Sequence, residues 1–210
     1  MDIVTIKCGN GNCYIVSDNG SAVLIDTCKK QYSEKILRLC EPYNIRLILL
    51  SHGHFDHIQN AAVLSQKLNA PIAMHKSDVG LIDSNFSQPL SARKFLGKIV
   101  LSASLKSFES EEIPPFSPSV FLSEGDSLEE YGIRAKILHL PGHTDGSIAV
   151  DVEEKHLFVG DALMNMFYPT VSMLYHDENA MLESAERISG LGERTIYFGH
   201  GSPVGNRKWK

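Results

Sequence analysis

The segment HGHFDH, residues 52–57, holds three imidazoles and one carboxylate within six positions. Such side chains are the usual protein ligands of zinc and related divalent ions. Closely spaced imidazoles repel one another when protonated, whereas a metal binds their neutral ring nitrogens. The segment therefore predicts a metal site. The simpler interpretation, a histidine-rich surface turn, stays open for any short motif taken alone.

Further ligand-type side chains occur in the same local setting, where an apolar run typical of a strand is followed by a turn. The hexapeptide follows residues 45–50, His143 follows 134–140, and Asp26, Asp161 and His200 each follow or end a short apolar run. Open α/β sheets bind ligands at the carboxyl ends of their strands. We therefore expect these side chains to converge.

The apolar periodicity predicts two similar halves, each with several strands followed by mixed elements. Strands are expected near residues 3–7, 12–17, 22–26, 46–50, 71–75, 119–122, 133–140, 147–152, 156–160 and 195–199, and helices near 33–42, 58–68, 76–83 and 177–190. This order favours an α/β protein with a four-layer αβ/βα sandwich. It also favours one domain, residues 1–210, with an insertion at about 84–119.

The motifs HGHFDH, PGHT, GDA and GHG, in that order, resemble those of the metallo-β-lactamase-fold hydrolases over roughly residues 2–203. The resemblance implies the same four-layer fold and two divalent metal ions, most often zinc, with iron or manganese as alternatives. It implies one ion held by His52, His54 and His143, a second held by Asp56, His57 and His200, and Asp161 bridging both. Asp26 matches an acidic residue that orients a ligand through hydrogen bonds.

The implied reaction is hydrolysis by a hydroxide shared between two ions about 3.5–4 Å apart, which lower the pKa of water to about 7. Asp56 would be the catalytic residue that holds this nucleophile and collects protons. The expected substrate is a small-molecule thioester, lactone or ester. Alternatives within the family are an iron-dependent persulfide dioxygenase and a phosphodiesterase. A non-catalytic metal-binding protein is a further alternative, although every ligand position is filled.

Two departures from the family pattern predict a changed pocket wall without loss of a ligand. The first motif continues with Ile58, Gln59 and Asn60 in place of an early glycine, and Cys28 stands where a glycine usually follows Asp-Thr.

Two other segments are candidates for substrate contact. Residues 84–119, with a basic run and a proline-rich end, are either a functional segment, as a lid over the substrate mouth or an oligomer contact, or a solvated helix with a return loop. Residues 162–169 begin at a predicted ligand, so Met164 and Phe167 are expected to line the site and to suit an apolar acyl group. The Tyr168 hydroxyl would either donate to a developing oxyanion or remain in water.

Composition narrows the possible partners. A net charge of −5 does not indicate a nucleic-acid surface, and no apolar run reaches 18 residues, so no membrane partner is expected. The four cysteines form no CxxC pair, and residues 1–7 carry no secretory pattern, which favours reduced core thiols and a cytoplasmic location. We expect a small-molecule partner, with homo-oligomerisation open. The remaining motif-free histidines, interpreted as structural or surface residues, are His75, His139, His156 and His176.

Overall fold

A computed structural model describes residues 1–210. The strands are β1 (Asp2–Cys8), β2 (Gly11–Asp18), β3 (Ser21–Ile25), β4 (Asn44–Leu49), β5 (Ile72–Met74), β6 (Ser91–Ala92), β7 (Val120–Phe121), β8 (Ala135–His139), β9 (Ile148–Val152), β10 (His156–Phe158), β11 (Leu163–Met164), β12 (Thr170–Val171), β13 (Leu174–Tyr175), β14 (Thr195–Tyr197) and β15 (Val204–Gly205).

The α-helices are α1 (Ser33–Cys40), α2 (Phe55–Ile58), α3 (Ala61–Leu68), α4 (Gly80–Asp83), α5 (Lys94–Ser110) and α6 (Glu178–Gly190). Short 3₁₀ turns cover Lys30–Tyr32, Lys76–Asp78 and Glu129–Tyr131. None of the helices combines the length and the apolar character needed to cross a membrane.

Two mixed sheets form the frame of the molecule. The first has the strand order β1-β2-β3-β4-β5-β7 and the second β15-β14-β10-β9-β8. In the first sheet β3, β4, β5 and β7 are parallel neighbours, and in the second β10 and β14 are parallel. The parallel strands therefore end at common edges, where the predicted ligands follow.

Strand alternation divides the buried side chains into three apolar clusters, which separate four layers. Ala22 and Leu24 of β3 face α1 and α3, in a cluster that includes Ile36 and Leu64. Val23 and Ile25, between them, face the second sheet. The outer face of the second sheet packs on α6 through residues such as Leu157, Ile196, Met181 and Ile188. The helix–sheet–sheet–helix order confirms the predicted α/β sandwich.

The structure differs from the predicted elements at several places. The helix expected at residues 58–68 is two helices, α2 and α3, and α2 begins within the hexapeptide itself. The helix expected at 76–83 is a 3₁₀ turn followed by the single-turn α4. The pairs β11–β12 and β6–β13 were not predicted, because two-residue strands depend on distant partners and leave no periodicity in the sequence.

The segment expected to be an insertion contains α5, which is tied to the rest of the molecule at both ends. At its start, the Arg93 amide donates to the Met173 carbonyl at 3.0 Å, and the Arg93 guanidinium pairs with Glu178 at 3.1 Å. At its end, Gln59 Nε2 donates to the Glu111 carboxylate at 3.0 Å and to the Glu112 carbonyl at 2.7 Å. Contacts at both ends therefore hold the helix beside the hexapeptide.

Candidate metal centre

The seven predicted ligands come together where the two sheets end. Ligand-type atoms lie within 4.8 Å of one another in the trio His52, His54 and His143, and likewise in the trio Asp56, His57 and His200. These are the two trios that the resemblance implied. A third overlapping group consists of His52, His57 and Asp161. The convergence matches the expectation from strand ends, while metal ligation by each residue stays a prediction.

Asp161 lies between the two trios. Its carboxylate is 3.8 Å from Nε2 of His143, 3.6 Å from Nε2 of His57 and 3.3 Å from Nε2 of His200. Asp56 also approaches Nε2 of His200, at 3.4 Å. One carboxylate therefore contacts members of both trios, which is the position that a bridging ligand requires.

Hydrogen bonds at Nδ1 orient three of the imidazoles. Nδ1 of His57 donates to the Asp26 carboxylate at 2.8 Å, Nδ1 of His143 donates to the Leu174 carbonyl at 2.9 Å, and Nδ1 of His200 donates to the Asn10 carbonyl at 2.9 Å. Because carbonyl and carboxylate oxygens only accept, each neutral ring presents the lone pair of Nε2 to the centre.

Asp26 holds this arrangement in place. It accepts from the Ser51 amide at 2.7 Å and from the Ser51 hydroxyl at 2.8 Å, in addition to His57. The Ser51 hydroxyl lies 3.1 Å from Nδ1 of His52. Asp26 thus connects the end of β3 to two predicted ligands and orients one of them directly, as the resemblance implied.

The electrostatic surroundings divide the imidazoles into two groups. Burial lowers the pKa of His52, His54 and His143 below the usual value, so these rings are neutral. Burial also disfavours charge on His57, but the Asp26 and Asp161 carboxylates outweigh it and raise its pKa to about 9. Burial is likewise outweighed at His200, whose pKa is raised mainly by Asp161.

The two carboxylates of the centre respond in the opposite direction. Burial alone would raise the pKa of Asp56 and Asp161, but the neighbouring imidazoles, His200 foremost, lower both well below the usual range. The centre therefore pairs two ionised carboxylates with two imidazoles of raised pKa, those of His57 and His200, and a bound cation would take the place of the protons on these two rings.

Unpartnered atoms show that the centre fits divalent ions. Nε2 of His52, His54 and His57 and Oδ1 of Asp161 are buried without a hydrogen-bond partner. Buried polar atoms are normally satisfied, because leaving one unpaired costs about 1–3 kcal/mol. Four such atoms, all nitrogen or oxygen and all at one place, are the donor set that zinc, iron or manganese would satisfy.

Gly199 allows the ligands to approach one another. A Cβ atom at this position would lie 2.2 Å from Oδ1 of Asp161 and 2.6 Å from Cε1 of His57. The glycine before His200 therefore serves close packing of the centre, since any side chain would displace two predicted ligands.

Asp78 is a positioning residue that the sequence motifs did not reveal. Its buried carboxylate accepts from the Gly53 amide at 2.9 Å, the Thr144 hydroxyl at 2.7 Å and the Gly146 amide at 2.7 Å. It thereby joins the hexapeptide turn to the turn that carries His143. The available signal was its place shortly after β5, the same strand-end setting as the ligands.

The residues that depart from the family pattern also have structural roles. Gln59 joins the hexapeptide region to the end of α5, and the Asn60 amide donates to the carbonyls of Thr27, Cys28 and Lys29 at 2.8, 3.2 and 2.7 Å. They change the surroundings of the centre without removing a ligand, as expected.

A cavity of about 370 Å³ opens onto the centre. It reaches His54, Asp56, His143, Asp161 and His200, and more than half of its lining residues are hydrophobic. Side chains of α5 form one wall, and the Phe108 ring lies 5.3 Å from the His54 ring, centroid to centroid. Of the two interpretations of residues 84–119, the structure favours a cavity wall over a fully solvated helix.

The loop after Asp161 lines the cavity only in part. Met164, Met166 and Phe167 do so, whereas Tyr168 is not among the lining residues. The structure therefore gives no support to an oxyanion role for the Tyr168 hydroxyl. His75 and His139 stack on each other with ring centroids 4.3 Å apart, and neither belongs to a ligand trio.

Comparison with known proteins matches most of the chain to the family that the sequence motifs resemble. The family model described as the metallo-beta-lactamase superfamily matches residues 6–200. Hydroxyacylglutathione hydrolase GloC of Haemophilus influenzae is 30% identical over 210 residues, covering 96% of this chain and 91% of that protein. Another matching relative is longer, and the chain spans 65% of its length.

Solved structures agree on the fold. BLEG-1 B3 metallo-beta-lactamase superimposes with a TM-score of 0.77 at 23% identity, covering 97% of this chain and 94% of that chain. A di-iron-bound form of TTHA1623 gives a TM-score of 0.70 at 26% identity, covering 98% and 94%.

Proposed function

Because the chain belongs to the metallo-β-lactamase superfamily, we propose that it is a hydrolase with two divalent metal ions that cleaves small-molecule thioesters. The observation that carries this proposal is the pair of ligand trios joined by Asp161 beneath an open cavity. The similarity to a protein named as a hydroxyacylglutathione hydrolase, an enzyme for a thioester, supports this substrate class over lactones and oxygen esters.

His52, His54 and His143 would hold one ion, Asp56, His57 and His200 the other, and Asp161 both. When bound, the ions would lower the pKa of a shared water and polarise the attacked carbonyl. Zinc suits this set of nitrogen and oxygen donors, and iron is the alternative that the di-iron form of TTHA1623 supports.

Asp56 is the residue placed to handle protons. Its side chain is 22% exposed, compared with 7% for Asp161, and it lines the cavity. Its ionised carboxylate would accept a hydrogen bond from the attacking water, orient it, and relay the released proton towards the leaving group.

The side chains that line the cavity would shield the reacting carbonyl and bind the rest of the substrate. The half-buried Phe108 and the buried Met164 shield the reacting carbonyl from bulk water and offer apolar contact to an acyl group. Lys29 is the only lysine or arginine among the lining residues, so it is the group that would attract a carboxylate on the substrate.

The decisive experiment presents one acyl group to zinc-loaded protein as a thioester, an oxygen ester and a lactone, with a phosphodiester alongside. We expect the highest kcat/KM for the thioester. A higher value for the phosphodiester would replace the proposal with phosphodiesterase activity. Oxygen uptake with glutathione persulfide on iron-loaded protein, without thioester turnover, would replace it with dioxygenase activity.

Asp56→Asn tests whether one group serves every substrate. We expect it to lower kcat by about 100-fold or more, and by a similar factor for each accepted substrate, because the reacting atoms are common to all. The matched control is Asp145→Asn, since Asp145 is an exposed carboxylate outside the ligand trios. Selective slowing of one substrate by Asp56→Asn would assign Asp56 to substrate recognition instead.

A further inference from the structure

Three cysteines form a second cluster of metal-ligand side chains, outside the histidine centre. Cys8 ends β1, Cys13 lies in β2, and Cys28 lies in the turn after β3. Their sulfur atoms are within 4.8 Å of one another, and each residue is at most 3% exposed. The pairing of Ile6 with Cys13 and of Cys8 with Gly11 places the Cys8 and Cys13 side chains on one face of the sheet as diagonal neighbours.

The third thiol is delivered by an unusual turn. Asp26 and Cys28 both have left-handed backbone angles, with φ of 61° and 56°. Such angles in residues other than glycine cost about 1–3 kcal/mol and persist only where their surroundings impose them. Here the Asn60 amide binds three consecutive carbonyls of the turn, including that of Cys28 at 3.2 Å. The position of the Cys28 thiol is thus imposed by the structure around it.

The cluster is distinct from the histidine centre but next to it. A Cβ atom at Gly11 would lie 3.9 Å from Sγ of Cys28 and 3.9 Å from Cε1 of His200. The Gly11 backbone therefore lies between the sulfur cluster and the back of a predicted ligand. Cys40 belongs to the same apolar core but not to the sulfur cluster.

We propose that Cys8, Cys13 and Cys28 bind a single soft, thiophilic cation, Cu(I), in a three-sulfur site. Thiolates are the ligands that soft ions select. A trigonal site with metal–sulfur distances of about 2.3 Å requires sulfur–sulfur distances of about 4 Å, which the observed limit accommodates. Structural zinc sites use four ligands, and this group supplies three.

The surroundings of the cluster favour one thiolate and two thiols: burial raises the pKa of Cys13, and, against an opposing hydrogen bond with Cys13, the hydrogen bond with Cys8, together with burial, raises the pKa of Cys28. Hydrogen bonds from the Cys13 and Cys28 thiols, aided by the charge of Lys35, lower the pKa of Cys8 well below the usual value for a thiol. Lys35 lies close because its ammonium group donates to the Lys7 carbonyl at 2.6 Å. A thiolate flanked by two thiols is ready to bind a cation, with the thiol protons released on binding.

The test uses the full chain with zinc already in the histidine centre, and titrates Cu(I) without oxygen against a chromophoric Cu(I) chelator. We expect one copper retained per chain, with zinc content unchanged. Cys40→Ala is the matched control and should behave as wild type. Cys8→Ala, Cys13→Ala and Cys28→Ala should each weaken copper retention by at least about tenfold. Losing a residue that only supports a metal ligand costs about tenfold or more, and losing the ligand itself should cost at least as much.

X-ray absorption at the copper edge of the wild-type protein supplies a readout that needs no variant. Three sulfur neighbours would support the site, whereas nitrogen or oxygen neighbours, displaced zinc, or no retained copper would overturn it. Equal retention by the three cysteine variants would do the same, and would leave the cluster as apolar core packing. If Cys13→Ala loses its native circular dichroism, Cys8→Ala, at the end of its strand, decides the comparison.

Discussion

The histidine centre and the cavity wall are built differently, although they share one cavity. In the centre, each of the imidazoles of His57, His143 and His200 has an oxygen acceptor at Nδ1. In the wall, Ile99 and Phe167 are more than half exposed and lie among apolar neighbours. Hydrogen bonds fix a position to a few tenths of an ångström, whereas apolar contact tolerates substitution. For the proposed hydrolase, the comparison leads us to expect that the centre sets the reaction and the wall sets the substrate range.

Asp161→Ala is expected to have the largest effect, because it removes the carboxylate shared by both trios. We expect the loss of at least one of two bound ions and a fall in kcat of more than about 100-fold. A fall of about 100-fold is the upper end of the effect of removing a residue that only hydrogen-bonds to a metal ligand. The measurements are metal content per chain and single-substrate kinetics, with Asp145→Ala as the control. Near-normal activity with native metal content would reduce Asp161 to a turn residue.

Asp26→Asn should have the next largest effect, although Asp26 is not in either trio. The amide cannot both accept from Ser51 and bind Nδ1 of His57 with the strength of a carboxylate, so the His57 ring loses its orientation. We expect metal affinity or kcat to fall by about 10- to 100-fold.

The control for this variant is the thermal unfolding of the metal-free protein. A loss of activity fully explained by a lower Tm would mean that Asp26 stabilises the fold instead of the centre.

The same comparison explains which parts of the molecule the sequence predicts. His52, Asp161 and His200 follow apolar runs, so their convergence could be inferred from local patterns and the rule that strand ends meet. Hydrogen bonds between distant parts of the chain could not be inferred in this way. Asp78 binds turns that lie 25 and 66 residues away in sequence, and no local signal specifies that pairing. Likewise, α5 could be recognised as an unusual segment, but its contact with His54 through Phe108 depends on packing.

Phe167→Ala tests the wall directly. Phe167 lines the cavity, and Tyr168, the next residue, is similarly exposed but does not line it. We expect Phe167→Ala to change kcat/KM ratios across a series of acyl-chain lengths by about tenfold, because a lost apolar contact affects long chains more than short ones. Tyr168→Ala should leave the ratios unchanged. Equal slowing of all substrates by Phe167→Ala would place that residue outside acyl recognition.

Lys29→Gln should have the smallest effect, because it removes one partly exposed charge at the edge of the cavity. The Lys29 ammonium lies 5.0 Å from the centre of the Phe55 ring, next to Asp56, and is held there by a turn that Asn60 fixes. For a substrate with a carboxylate we expect KM to rise by about fivefold, the effect of about 1 kcal/mol at an exposed site, with kcat unchanged. A neutral amide of the same substrate should bind wild type and variant equally. Because exposed charges are screened by salt, the difference in KM between wild type and variant should shrink as ionic strength rises.

Lys30→Gln is the matched control, since Lys30 is exposed, lies 3.8 Å from Glu111 and is absent from the cavity lining. If Lys29→Gln and Lys30→Gln change KM alike, the effect comes from general surface charge and the wall does not select an anionic substrate through Lys29.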